Sequence, residues 1–316
     1  MSLMLEPETS EACIGALLMG LSQKGESSAE IAGAAAFLRE QATPIAAPEG
    51  AVDCCGTGGD LKGTYNISTA SALVTAACGV PVAKHGNKSA SSKSGAADVL
   101  EELGVPLNVE KTVLEGALRD LNFCFLMAPY HHYVLKPIVP IRKNLGIPTI
   151  FNLLGPLANP ADTKIQLIGV YDRKWLRPMA EALKQLGTKR AWLVHGKDGL
   201  DEVTLTSETY IVALDDDGHI SERILTPSNF GLPYCKIEDI KGGSPQRNAS
   251  ALRDLLDGKQ SAYRSIVLAN AASVIYLQGQ ATNLNDAVKQ CTAAIDEGKA
   301  KAVLENYIEY VKKGSA

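Results

Sequence analysis

The chain has 316 residues, 46% of them hydrophobic and 21% charged, an ordinary balance for a globular protein long enough to bury a large core. Its formal net charge of -4 gives no global positive field to hold nucleic acid, which places small-molecule chemistry first. The seven cysteines (Cys13, Cys54, Cys55, Cys78, Cys124, Cys235 and Cys291) form no C-x-x-C pair. Neither a zinc ribbon nor a redox motif is expected, and reduced, buried thiols in a cytoplasmic protein are. No apolar run is long enough to span a bilayer, and Met1 to Thr9 lacks the basic-then-apolar order of a signal peptide.

In chain order, Glu8 to Gln41 is dominated by alanine, leucine and glutamate and reads as helix, broken at Gly25, where Glu26, Ser27 and Ser28 supply a new cap. Thr43 to Gly50 is rich in proline and alanine without a period and reads as a linker. From Ala51 onward, strand-length apolar runs alternate with amphipathic ones. Strands are expected at Ala51–Cys55, Val80–Ala83, Phe123–Met127, Thr163–Val170 and Arg190–Val194, with helices at Ser68–Cys78, Ala96–Leu103 and Trp175–Leu186. Tyr210–Leu214, ahead of Asp215-Asp-Asp-Gly218, reads as a hairpin arm, and Asn248–Lys313 as mainly helical. The expected fold class is therefore α/β: a small helical N-terminal domain (residues 1–47, joined in space by part of 130–147) and a large α/β domain (48–316) with a mostly parallel central sheet. Ligands of such sheets bind beyond the carboxyl ends of the strands, which singles out the loops after Cys55, Ala83, Met127 and Val194.

Those loops hold the unusual chemistry. The first is Gly56-Thr-Gly-Gly-Asp60, running on to Thr64-Tyr-Asn-Ile-Ser-Thr69. Glycines after a strand let consecutive N–H groups form an anion nest, and Asn66, Ser68 and Thr69 at the next helix start suit either a cap or an anion; a plain tight turn fits the same residues. The loop matches neither the Walker pattern nor the dinucleotide fingerprint. The second is Lys84-His-Gly-Asn-Lys-Ser-Ala-Ser-Ser92 with Lys93, whose ammonium, amide and hydroxyl donors suit a polyphosphate; His85 reads as a general base or a hydrogen-bonded structural histidine. The third presents adjacent carboxylates, Asp201 and Glu202, after His195-Gly196. Beside a phosphate nest they suit magnesium, which takes one or two carboxylates plus phosphate oxygens; alone they read as surface acids. The fourth feature, Arg142 in Pro140-Ile-Arg142, fits a ligand carboxylate in fork geometry or a salt bridge.

In this order and nearly from end to end, these segments resemble the anthranilate phosphoribosyltransferase family. The resemblance is carried by Gly56-Thr-Gly-Gly-Asp60, Asn66-Ile-Ser-Thr69, Val82-Ala-Lys-His-Gly-Asn87, Ser91-Ser92, Gly95-Ala-Ala-Asp-Val-Leu100, Thr149-Ile-Phe-Asn-Leu-Leu-Gly-Pro-Leu157, Asn159-Pro160, His195-Gly196 and Asp201-Glu202. It implies an architecture shared with nucleoside phosphorylases and a homodimer paired through the helical domain. It implies that phosphoribosyl pyrophosphate is held by Gly56, Gly59, Asp60, Thr64, Asn66, Ile67, Ser68, Thr69, Lys84, Gly86, Asn87, Lys88, Ser91, Ser92 and Ala96. Anthranilate would meet Gly56, Asn87 and Arg142, and Mg2+ would be held by Ser68, Asp201 and Glu202. The implied reaction is transfer of the phosphoribosyl group to the amine of anthranilate, in tryptophan biosynthesis. The chain departs from the family pattern at Leu61, where glycine is frequent, at Lys88 and Pro148, where arginine is usual, and in Tyr130-His-His-Tyr133; ahead of Thr9 the family's first helix is not recognised.

Displacing pyrophosphate from an anomeric carbon passes through a cation-like ribosyl state, and positioning with electrostatics can supply most of the acceleration. No covalent nucleophile and no essential histidine are expected. The nearest rival is a pyrimidine nucleoside phosphorylase, which needs no paired carboxylates; the second is a non-catalytic nucleic-acid-binding paralogue, which the net charge disfavours.

Overall fold

The computed structural model describes residues 1–6, 8–89 and 93–314. After a 3-10 turn at Ser2–Leu5 that buries Met4, two helices follow, α1 (Glu11–Lys24) and α2 (Ser28–Gln41). Gly25, at φ 82, breaks them apart, and Ser27 restarts the chain through a capping box: its Oγ accepts the Glu30 N–H at 3.3 Å while Glu30 Oε2 accepts the Ser27 N–H at 2.9 Å. The linker then runs without regular structure to β1 (Val52–Gly56), α3 (Ile67–Ala77), β2 (Val82–Gly86), α4 (Ala96–Glu102), α5 (Lys111–Leu121) and β3 (Phe123–Met127). Three short helices, α6 (Ala128–His131), α7 (Ile138–Leu145) and α8 (Phe151–Leu154), lead to β4 (Ile165–Gly169), α9 (Leu176–Gln185), β5 (Arg190–Gly196), β6 (Thr209–Leu214) and β7 (Ile220–Leu225). Four helices close the chain: α10 (Pro245–Leu256), α11 (Ala262–Gln278), α12 (Leu284–Asp296) and α13 (Lys299–Gly314).

The seven strands form one sheet in the order β3-β2-β1-β4-β5-β6-β7. The five from β3 to β5 are parallel, and β6 and β7 add an antiparallel hairpin turned at Gly218. The second strand was expected at Val80–Ala83 and lies at Val82–Gly86, because its last turns are polar: Lys84 and His85 are strand residues, both buried. Helix α5 was not expected at all, although Leu114, Ala117 and Leu118 form its buried stripe.

Two hydrophobic clusters flank the sheet. One joins α3, α4, α5 and α10–α13 to one face through residues such as Leu73, Leu100, Leu118, Ile266 and Tyr307. The other joins α9 to α1, α2, α7 and α8 through Leu18, Ile31, Leu38, Ile141 and Leu183, and reaches the sheet at Ile168, Leu193 and Leu214. The N-terminal helices therefore share one core with the segment around α7 and with the back of the sheet. The Tyr307 hydroxyl accepts the Phe125 N–H at 3.0 Å and covers the β3 edge. All seven cysteines are free thiols, and no helix among the described residues is long and apolar enough to cross a membrane.

Candidate active site

The carboxyl ends of β1, β2 and β5 converge on one charged cleft. After β1 the backbone turns through Gly58 and Gly59, at φ 65 and 85, a conformation that side chains rarely adopt. The turn is tied from both sides: the Thr57 N–H donates to the Gly169 carbonyl at 2.9 Å, and the Gly58 N–H to Asp201 Oδ2 at 2.9 Å. Farther on, the Lys62 N–H donates to Asp60 Oδ1 at 3.1 Å, and Gly63 and Tyr65 join Gly242 and Ile240 through backbone hydrogen bonds. Thr64 bridges Lys241 in this small ladder. Leu61, where the family favours glycine, is 79% exposed and holds φ 58.

The start of α3 differs from a capped helix. Asn66 occupies the cap position but makes no cap hydrogen bond. Its side chain is taken by others: Nδ2 donates to the Ser94 carbonyl at 3.2 Å, and Oδ1 accepts Asn248 Nδ2 at 2.8 Å. The Asn66 carbonyl accepts the Tyr263 hydroxyl at 3.1 Å. Of the alternatives open at this helix start, a cap from Asn66 is not formed, because a residue tied to three other segments cannot fold back on its own helix. The α3 N-terminus instead meets a carboxylate from another segment, the Ser68 N–H donating to Glu202. Of its first residues, Ile67 and Thr69 are buried and Ser68 faces the cleft edge, half-buried; the Thr69 hydroxyl has no partner in the fold.

The second loop folds back on α4. Asp98 Oδ2 accepts the Ser89 and Gly95 N–H groups at 2.9 and 2.8 Å, and the Ala97 N–H donates to the Asn87 carbonyl at 3.2 Å. A Cβ at Gly95 would meet Ser89 N at 2.5 Å, so only glycine lets the loop lie this close. Lys84 is fully buried, and among the described residues its ammonium donates to the His85 carbonyl at 3.4 Å. Lys88 turns outward to Glu101 at 2.8 Å. Asn87 is exposed, and Gly86 and Ala96 are half-buried at the loop's two ends. Ser91 and Ser92 lie outside the described residues.

The acids face these loops. Asp201 reaches between β1 and β4: a Cβ at Gly56 would stand 2.6 Å from its Oδ2, and one at Gly169 would overlap its carbonyl. Burial, then the charges of Asp60 and Glu202, raise the Asp201 carboxyl well above the usual range. Burial likewise pushes Glu202 up to about 8, against the opposing pull of Lys84 and of a hydrogen bond from the Ser68 backbone. Three acids with too little positive charge around them form a site that favours a cation. The donors are all oxygen, and among the described residues no group of three His, Cys, Asp or Glu side chains is arranged to hold a metal unaided. That suits an ion bound by one or two carboxylates and completed by phosphate oxygens.

Arg142 sits on α7, in the helical layer. Its guanidinium lies 5.1 Å from the Phe151 ring centroid, and no ion pair to it forms among the described residues. Burial lowers its affinity for the proton. His85 takes the structural role: its Nδ1 meets the Gly155 carbonyl at 3.0 Å, and burial drives its pKa down to about 3. His132 packs edge-on against it, ring centroids 5.3 Å apart, with a pKa of about 4 from the same cause. Sequence reasoning missed the residues that build the site from behind, namely Asp53, Asp98, Gly169 and Tyr263. Asp98 had a signal, an acid three residues after Gly95 at a helix start.

Comparison with known proteins accords with this arrangement. The α/β-domain model of the glycosyl transferase family matches residues 48–301, and its helical-bundle-domain model matches residues 1–42. An anthranilate phosphoribosyltransferase from Rhodospirillum rubrum is 49% identical over 300 residues, 95% of this chain and 86% of its own. One from Azospirillum brasilense is 50% identical over 295 residues, 93% of this chain and 82% of its own. Among solved structures, the anthranilate phosphoribosyltransferase of Thermus thermophilus superposes with a TM-score of 0.92 at 39% identity, covering 98% of this chain and 92% of its own. The enzyme from Saccharomyces cerevisiae, solved in complex with PRPP and Mg, gives 0.89 at 29% identity, covering 99% and 90%. Matched along nearly its whole length at about half identity, the chain belongs to the anthranilate phosphoribosyltransferase family.

Proposed function

We propose that this chain transfers the 5-phosphoribosyl group of phosphoribosyl pyrophosphate to the amine of anthranilate, giving N-(5-phosphoribosyl)anthranilate and pyrophosphate in tryptophan biosynthesis. The observation that carries the reading is the site itself: an α3 N-terminus without a cap from Asn66, with the Glu202 carboxylate on its Ser68 N–H, beside buried Lys84 and an Asp201 whose proton affinity, like that of Glu202, is raised. Such a site takes a diphosphate together with a divalent cation. The yeast relative was solved with both, and a further yeast complex holds 4-fluoroanthranilate.

The family resemblance supports these residue roles. Gly56 and Gly59, with Asp60, Thr64, Asn66, Ile67, Ser68, Thr69, Lys84, Gly86, Asn87, Lys88, Ser91, Ser92 and Ala96, form the phosphoribosyl pyrophosphate site, which Lys88 reaches by releasing Glu101. Ser68, Asp201 and Glu202 hold Mg2+, which, when bound, offsets charge growing on the departing pyrophosphate. Lys84 adds fixed positive charge where water is excluded, and therefore acts on the transition state at low dielectric. Arg142 orients anthranilate through its carboxylate, with Gly56 and Asn87 beside the ring and amine. No side chain forms a covalent bond to the sugar: the C1–oxygen bond breaks as the C1–nitrogen bond forms, and the amine's proton leaves afterwards. His85, neutral above about pH 3, is a weak base and holds Gly155 instead.

We further propose a cytoplasmic homodimer formed through the helical layer, where Leu17, Met19 and Val139 are exposed apolar residues. The test of function is anthranilate fluorescence with purified protein, phosphoribosyl pyrophosphate and magnesium. Magnesium-dependent loss of signal, abolished by EDTA, is expected. A stable signal from folded protein, with phosphorolysis of thymidine or uridine instead, would overturn the reading.

A further inference from the structure

Strands β1 and β2 carry the two substrate loops, yet they hardly pair. Their register is made at Val52 and Val82 alone, whereas β1 with β4 and β2 with β3 match through all five residues. In a parallel ladder, alternate residues turn their backbone groups to opposite neighbours. The Val82 N–H goes to Asn122 on the β3 side, so Ala83 and His85 face β1. There they meet side chains. The Ala83 carbonyl accepts Asn159 Nδ2 at 2.8 Å, and the His85 N–H donates to Asp53 Oδ1 at 3.3 Å. Asn159 Nδ2 also donates to Asp53 Oδ2 at 2.8 Å, and Asn159 Oδ1 accepts the Ala161 N–H at 2.8 Å. Asp53 is 0% exposed and Asn159 2%.

A carboxylate buried this deeply is costly, and a closed ladder with apolar side chains would be more stable. The arrangement instead substitutes two side chains for the missing β1 backbone partners at the end where both loops begin. Lys84, whose charge is the strongest favourable influence on Asp53, lies on β2 in this stretch and, among the described residues, donates to the His85 carbonyl.

We propose that Asp53 and Asn159 are positioning residues: they hold β1 and β2 apart so that the loops after Gly56 and Gly86 open around the diphosphate, with the Lys84 ammonium between them. This rests on the function proposed above.

The test compares wild type with Asp53→Asn and Asn159→Ala. Either orientation of an amide at position 53 points a donor at a donor, Asn159 Nδ2 or the His85 N–H. Each variant is expected to raise KM for phosphoribosyl pyrophosphate, and the inhibition constant of inorganic pyrophosphate, about tenfold or more, since small misplacements of binding groups are expensive. KM for anthranilate should rise less than that for phosphoribosyl pyrophosphate, because Arg142, which holds its carboxylate, lies on α7 and outside these strands. Parallel loss of both KM values with the melting temperature would mean a merely structural role and overturn the proposal, as would folded variants with unchanged constants. Should Asp53→Asn fail to fold, Asn159→Ala, which keeps the charge, carries the same expectation. Should wild type make no product, the function fails separately; calorimetry with inorganic pyrophosphate and magnesium then reads the wedge alone, tenfold weaker binding supporting it and equal binding overturning it.

Discussion

Replacing Glu202 by glutamine is expected to lower turnover strongly and yet stabilise the ligand-free protein. Glu202 has an ordinary value of 4.5 and is pushed up to about 8 in the fold by burial, with Asp60 adding to the shift. The unfolded chain releases this proton near 4.5 while the folded chain keeps it to about 8, so the unfolded state binds fewer protons across that window and stability falls as pH rises. Carried through the linkage relation, the ionisable carboxyl costs on the order of 2 kcal/mol at pH 6 and about 4 kcal/mol at pH 8. Glutamine removes that cost and can still accept from the Ser68 backbone. In a chain of this size about 2 °C accompanies each kcal/mol, so the melting temperature of the glutamine variant should rise by about 8 °C at pH 8 and about half that at pH 6. The assay is calorimetry of both proteins in metal-free buffer at the two pH values, repeated with magnesium and phosphoribosyl pyrophosphate, where wild type should gain more by linkage. A glutamine variant less stable than wild type at pH 8, or a gain independent of pH, would refute the reasoning.

Further outcomes follow from the same geometry. Arg142→Ala should raise KM for anthranilate at least tenfold and leave that for phosphoribosyl pyrophosphate nearly unchanged, with Arg142→Lys recovering only part, since the fork is lost; steady-state kinetics in each substrate decides. Gly169→Ala should lower kcat/KM by about a hundredfold, because the new Cβ overlaps the Asp201 carbonyl and displaces a metal ligand; a near-normal rate would show that Asp201 is not held there. His132, depressed from 6.5 to about 4, is neutral in the fold and protonated in the unfolded chain between those values, so it contributes stability that is lost as pH falls through that window. His132→Asn should flatten the decline between pH 6.5 and 4.5, a difference of about 2 kcal/mol at pH 5 by chemical denaturation; an unchanged slope would contradict the assignment.

The fold was legible where periodicity and punctuation agree. Phe123–Met127 is five apolar residues between Asn122, which takes the left-handed conformation, and Ala128-Pro129, and the strand keeps those bounds. Gly25 with Glu26, Ser27 and Ser28 marked the first helix break, and Ser27 is the cap that forms there. The second strand was placed too early because Lys84-His85 resembles a loop; only the buried site explains charged residues in a central strand. Helix α5 was missed because its polar face hides the Leu114, Ala117 and Leu118 stripe beside a more conspicuous strand.

The site was legible as loops and acids, since glycines, lysines and paired carboxylates after strands have few other uses. Its backing was not. Asp201, in the loop after β5, meets Gly169, thirty-two positions away in the chain, because β4 lies beside β5. Asp53 reads as one polar residue in an apolar strand and Asn159 as part of a proline turn; nothing in their spacing indicates that they replace a ladder. Lys88 reads as a diphosphate ligand, and Glu101, one turn into the following helix region, takes its ammonium instead.

The most direct test measures pyrophosphate release and anthranilate consumption together, in wild type and in the Asp201→Asn/Glu202→Gln double variant, with saturating magnesium. The account predicts one pyrophosphate per anthranilate in wild type, and in the variant a loss of about a thousandfold in turnover with KM for anthranilate little changed. A double variant that turns over at a comparable rate, or a wild type that releases pyrophosphate without consuming anthranilate, would contradict it.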